Sequence, residues 1–189
     1  ASCLVGSEMC IRDSHVTFQM RGGTISTCTT VAFGGGGVCN NGTFIMSDGM
    51  IKGCTSPDGQ YASGGGVRNS NQFTMTGGMI GDPDNENDAS HVYNTSSQET
   101  TLTISGNAKI YTDITNVGIL NADGGEIAGT MTNDTNRYGT GSEGAAGSTE
   151  FHGKVTNTGT IRKGTFKNEV INESLSLIHI SEPTRQEAI

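Results

Sequence analysis

Gly35 to Cys54 reads GGGVCNNGTFIMSDGMIKGC and Gly64 to Pro83 reads GGGVRNSNQFTMTGGMIGDP, and the two stretches align without a gap. Val38, Asn40, Phe44, Met46, Gly49 and Ile51 fall on Val67, Asn69, Phe73, Met75, Gly78 and Ile80. Gly53 then falls on Asp82, with Gly81 one place early, so the register is firm through the isoleucine. An earlier partial copy, TFQMRGGTI, puts Phe18, Met20 and Ile25 in the same roles. A later one, TLTISGNAKI, puts Leu102, Ile104 and Ile110 there with one extra residue, and Val92 and Asn94 continue the Val-x-Asn column. Towards the C-terminus the pattern becomes Ile127-x-x-x-Met131-x-Asn133, Phe151-x-x-x-Val155-x-Asn157 and Phe166-x-x-x-Val170-x-Asn172, the last two 15 residues apart. Two such units are expected to make one unit of the 29-residue spacing between Val38 and Val67.

Within each copy apolar residues alternate with Thr, Ser or Lys, the mark of short half-buried strands, and Gly and Asn punctuate them as turns. A strand repeat that cannot bury its own apolar face must stack on its neighbours. The expected fold is all-β, a right-handed parallel β-helix with coils of about 25–30 residues, incomplete at both ends, the hand following from the crossover rule. Phe18, Phe44, Phe73 and Leu102 should form one internal stack, and Ile25, Ile51, Ile80 and Ile110 another. Asn40, Asn69 and Asn94 should form an amide ladder along the axis. The glycine runs before each valine are read as tight corners requiring positive φ.

The composition agrees with this reading. Of 189 residues, 29 are Gly, and only 32 % are hydrophobic and 16 % charged, against roughly 45–50 % apolar and about 25 % charged in ordinary domains. With no sustained apolar stripe at helical spacing, a helical bundle or coiled coil is excluded. A net charge of −8 with scattered basic residues excludes nucleic-acid binding, and no apolar run is long enough for a membrane-spanning helix.

The pattern GGGVxNxGxFxMxGGxI resembles the Gly-rich repeats of bacterial surface and secreted proteins with right-handed β-helix folds, the adhesin-like or pectin-lyase-like group. The resemblance covers most of residues 15–174 and is strongest from Gly34 to Gly81. Chlamydial polymorphic outer-membrane proteins share the Gly-Gly-apolar corner, but their companion Phe-x-x-Asn is missing, since Phe166 is followed by Lys167, Asn168 and Glu169. The two ends differ from this interior. A DNA string encoding Leu4 to Ser14 has a reverse complement that encodes Leu175 to Thr184 in another frame, and both resemble translated transposase adapter from sequencing libraries. The expected division is therefore 1–14 as an adapter-derived non-native segment, 15–174 as the β-helix repeat fragment and 175–189 as a second adapter-derived segment. On that division Cys3 and Cys10 are non-native, and the natural thiols are Cys28, Cys39 and Cys54, an odd number that makes no disulfide framework.

Candidate chemistry is sparse. DPDNEND places Asp82, Asp84, Glu86 and Asp88 at alternate positions, as a calcium loop would, but it lacks the turn glycine and final glutamate of a helix-loop-helix site, and a solvated loop is the preferred reading. Enzymes on this fold that cleave acidic polysaccharides use carboxylates at set separations, and no motif selects a pair from Asp48, Asp58, Asp113 or Asp123. His15, His91 and His152 have no partner at ligand spacing and are read as surface histidines. Cys28 and Cys54 each follow an equivalent isoleucine by three positions, so a bridge between coils is possible, with two buried thiols preferred. The glycine runs lack the Lys-Ser/Thr of a phosphate loop. Asn41, Asn94 and Asn133 head glycosylation patterns, expected by chance in so Asn-rich and Thr-rich a chain.

No residue is assigned a catalytic, cofactor-binding or metal-ligating role. The expectation is an extracellular or cell-surface structural or adhesive repeat without catalysis, with glycans or surface proteins as partners, no nucleic acid, no membrane span, and self-association through uncapped coil ends. The alternative is a β-helix polysaccharide lyase or glycoside hydrolase.

Overall fold

The computed structural model describes residues 3–5, 9–11, 15–30, 34–56, 64–86, 88–95, 100–133, 150–157, 160–161, 165–172 and 177–178. Every strand pairing among them is parallel, and no helix occurs among them, so no helix there can cross a membrane. The chain is a parallel β-solenoid with two stacked faces. The wide face carries, in order along the axis, Cys3–Val5, Thr17–Ser26, Thr43–Lys52, Gln72–Met75 with Met79–Ile80, Thr101–Ile110, Ile119–Ile127, Glu150–Phe151 and Thr165–Phe166. The narrow face carries Met9–Ile11, Val38–Asn40, Val67–Asn69, Val92–Asn94, Ile114–Asn116, Met131–Asn133, Val155–Asn157 and Val170–Asn172. A short separate pair joins Thr160–Ile161 to Leu177–Ile178.

Alternation along each strand turns one set of side chains inward, and parallel pairing stacks like on like. Four apolar rows fill the interior. Phe18, Phe44, Phe73, Leu102 and Leu120 form one, and Met20, Met46, Met75, Ile104 and Ala122 the next. Ile25, Ile51, Ile80, Ile110 and Ile127 form the third. Val38, Val67, Val92, Ile114, Met131 and Val155 form the fourth on the narrow face. The phenylalanines stack ring on ring, with Phe44 and Phe73 4.6 Å apart at 15°. Both are fully buried. The expected Phe and Ile stacks are as read from the sequence.

Three expectations are corrected. First, the glycine runs do not adopt left-handed backbone. Positive φ falls instead at the bends inside the wide strands, at Gly49 (φ 103), Gly78 (φ 82) and Gly125 (φ 80), where the chain turns between the Met and Ile rows. At Gly35–Gly37 and Gly64–Gly66 a side chain is excluded by neighbouring backbone: a Cβ on Gly37 would meet the Gly66 carbonyl at 2.7 Å, and one on Gly65 the Cys54 carbonyl at 2.7 Å. These runs carry the narrow-face corner against the next coil, and bare backbone is what lets the coils close.

Second, coil length is not constant. Ladder asparagines are separated by 29, 25, 22 and 17 residues in succession. The connection from the Ile row to the Val row shortens from the long spans after Ile25, Ile51 and Ile80 to three residues after Ile110 and Ile127.

Third, the 15-residue unit is a whole coil, not half of one. Phe151 pairs with Ile127 and Phe166 with Phe151, so both phenylalanines sit in the Ile row, and Val155 pairs with Val170. The x-x-x spacer of that motif is the tight corner between the Ile and Val rows.

Of the outer segments, only 3–5, 9–11 and 177–178 lie inside the described residues, and their backbones pair in parallel with 24–26, 38–40 and 160–161 respectively. The remainder of 1–14 and 175–189 lies outside them.

Candidate functional site

The interior polar feature is the asparagine row. Asn40 donates from Nδ2 to Asn69 Oδ1, Asn69 to Asn94, Asn94 to Asn116 and Asn116 to Asn133, each at 2.7 Å. All five are fully buried. The second N–H of each amide is spent on backbone carbonyls: Gln72 for Asn40 at 2.9 Å, Thr101 for Asn69 at 3.0 Å and Ile119 for Asn94 at 3.1 Å. The row thus locks the turn between the faces as well as joining the coils. Burial at Asn94 and Asn133 removes the glycosylation patterns they head from any enzyme's reach.

The acidic stretch does not converge on a cation. Asp88 turns inward, 7 % exposed, and its carboxylate accepts from the backbone N–H of Gly53 at 3.0 Å, Asp82 at 2.9 Å and Ser90 at 2.8 Å. Ser90 Oγ accepts from Cys54 N at 2.9 Å. Together they clasp the 81–91 connection onto the coil beneath. Asp82 pairs with Lys52 at 2.9 Å, which raises the lysine pKa and lowers that of the aspartate, in both through their hydrogen bond first. Asp84 and Glu86 point to solvent. Among the described residues no group of three His, Cys, Asp or Glu side chains gathers around a possible ion.

Cys28 and Cys54 are both fully buried free thiols at matching heights on successive coils, where Thr55 N donates to the Cys28 carbonyl at 2.9 Å. Each thiol lies 3.4 Å from the carbonyl two residues earlier, Ser26 or Lys52. Burial pushes the Cys54 thiol up to about 12. The two cysteines fill the stack as small apolar groups.

Of the other carboxylates, Asp48 accepts from Gly49 N at 2.8 Å, and Asp113 from Thr130 N at 2.9 Å with His91 Nδ1 3.9 Å away. They sit at separate corners. Asp58 lies outside the described residues.

A clustered set of charges that borders a concavity was missed in the sequence, because its members come from different coils. Lys109 opposes Glu126, and Glu126 opposes Glu150, on neighbouring parallel strands. They border an open depression of about 370 Å³ whose floor is Gly106, Asn107, Ala108 and Gly125. The glycine bend strips side chains from the floor, which is why a hollow forms there. Lys109 Nζ lies 3.4 Å from Glu126 Oε2, and that contact, with Tyr111 beside it, raises the lysine pKa. Glu150 meets His152 Nε2 at 3.1 Å and Lys167 Nζ at 3.6 Å, and these hold its carboxyl below the usual glutamate range. Neighbouring strands are about 4.8 Å apart, near the spacing of a retaining glycosidase's carboxyl pair, but the acid member of such a pair needs a raised pKa and Glu150 is shifted the other way. The arrangement can bind polar groups through fixed charges.

The fold and hollow together define the chain as a parallel β-solenoid repeat region. No protein-family model, curated protein or solved structure matches it.

Proposed function

We propose that the chain is the structural or adhesive repeat region of a bacterial cell-surface or secreted protein, working outside the cell without catalysis. The observation that carries this reading is the unbroken buried amide row from Asn40 to Asn133. An interior satisfied row by row fixes the rod and frees the outward rows from any stabilising duty. Those outward rows are polar apart from Ile45 and suited to contact: Gln19, Ile45, Thr74, Thr103 and Asn121 on the wide face, and Arg68, Tyr93, Thr115 and Thr132 on the narrow one. The test is binding of the whole chain to arrays of host and microbial glycans and to purified surface proteins. Binding that Thr74→Lys or Thr103→Lys weakens, without change in unfolding midpoint, supports an adhesive face; no binding to any class leaves the structural rod alone and removes the adhesive half of the reading.

A second reading, a polysaccharide lyase or glycoside hydrolase, is favoured by one observation: two carboxylates and a lysine bordering one depression. Incubation with acidic polysaccharides tests it. Product that disappears in both Glu126→Gln and Glu150→Gln establishes the enzyme, and absence of product removes it.

A further inference from the structure

Asn-Gly and Asp-Gly pairs are the usual places where a backbone rearranges through a cyclic imide, because glycine lets the following amide nitrogen approach the side-chain carbonyl carbon. The sequence ranks Asn41-Gly42 first near neutral pH, since an uncharged side-chain amide is attacked more readily than an ionised carboxylate. The structure reverses that ranking. The Asn41-Gly42 peptide is pinned on both sides: Gly42 N donates to the buried Asn40 Oδ1 at 3.1 Å, and the Asn41 carbonyl accepts from Asn71 Nδ2 at 3.2 Å. Rotating it into an imide would break the bond that holds the oxygen of the first ladder amide.

At Asp48-Gly49 the geometry runs the other way. The Gly49 nitrogen lies 2.8 Å from Asp48 Oδ1, so the side-chain carboxyl is folded back onto the amide nitrogen that would attack it. Gly49 has φ 103, a conformation side chains rarely adopt. The amide donates to the Asp48 carboxylate, and the register with the preceding coil shifts around Arg21 and Asp48. Asp48 is exposed, so water reaches the site.

We infer that Asp48-Gly49 is a site of spontaneous backbone isomerisation through a succinimide. The Gly49 nitrogen attacks the γ-carbon of the protonated Asp48 carboxyl, the C–N bond forms, and the hydroxyl leaves with the amide proton as water. One water then adds back across either C–N bond of the ring, regenerating aspartate or giving isoaspartate. The net change is an isomerisation with no other reactant. Isoaspartate inserts one extra carbon into the main chain three residues before Ile51, so the product shifts that isoleucine out of its row.

The experiment is prolonged incubation of the whole chain at about pH 7, folded and in denaturant, followed by peptide mapping and enzymatic methylation of isoaspartate. In the folded chain the Asp48 peptide is expected to convert severalfold faster than the Asn41 peptide, with the order reversed in denaturant. Asp48→Ser, a change at an exposed position, should abolish that product and keep the unfolding midpoint. Asn41 converting first in the folded chain, no isoaspartate at Asp48, or the same order folded and unfolded each overturns the inference.

Discussion

The coils from Val38 to Ile127 and those from Glu150 to Asn172 obey the same motif but are held differently. In the first group all four apolar rows are filled and almost completely closed to water, and the amide ladder runs beside them. In the second, no described strand occupies the Phe and Met rows. Phe151 still stacks on Phe166 at 5.0 Å, but Phe166 and Val170 are only partly buried. Ion pairs across successive coils occur in both groups, Lys52 with Asp82 and Lys109 with Glu126 in the first, Glu150 with Lys167 at 3.6 Å and Lys154 with Glu169 at 3.0 Å in the second, but only in the second do they stand beside rows that are partly open. A solenoid coil therefore keeps its register from two rows, while its strength depends on how many rows it has room to close. Since each coil contacts only its neighbours, the two groups should differ in local stability.

The largest effect is expected at the ladder. Asn69→Leu fills the same space but orphans Asn40 Nδ2, Asn94 Oδ1 and the Thr101 carbonyl, a loss of about 4 kcal/mol or more at roughly 1–3 per buried group, read by urea unfolding. A loss below that of a surface substitution would show that water replaces the rung.

Next, Phe73→Ala should cost about 3–5 kcal/mol, whereas Phe166→Ala should cost clearly less, about 1–2, because its ring is not fully removed from water. Equal losses would break the distinction between the two groups.

A smaller gain is expected at Thr27, whose φ of 54 strains a β-branched residue at the turn where Gly53 has φ 61. Thr27→Gly should stabilise by about 1 kcal/mol, the left-handed penalty less glycine's greater unfolded freedom.

The smallest effect belongs to the narrow coils' ion pairs. Glu150 titrates lower when folded, so its contribution is present above the ordinary glutamate range and lost as pH falls through the lowered value. Hydrogen-exchange protection, taken relative to the intrinsic rate at each pH, should therefore fall in the 150–172 region on acidification or added salt before it does in the 38–127 coils.

Much of this was legible in the sequence. The Phe, Ile and Asn rows could be read because parallel stacking makes a spatial neighbour a sequence equivalent. The same logic failed where one residue type serves two physical ends. Glycine marks either a left-handed bend, as at Gly49, or a place with no room for Cβ, as at Gly65, and only the neighbouring coil tells which. In DPDNEND four alternate carboxylates look alike, and the inward turn of Asp88 depends on the backbone N–H of Gly53, a coil away.

By itself, then, the sequence determined that strands stack in parallel with apolar rows and an amide row inside, because alternation and repeat leave no other way to bury them. Only the tertiary structure decided how wide each coil is, and which charges meet around the depression at Gly106 and Gly125. Those follow from packing between coils, where distances are set by neighbours remote in the chain.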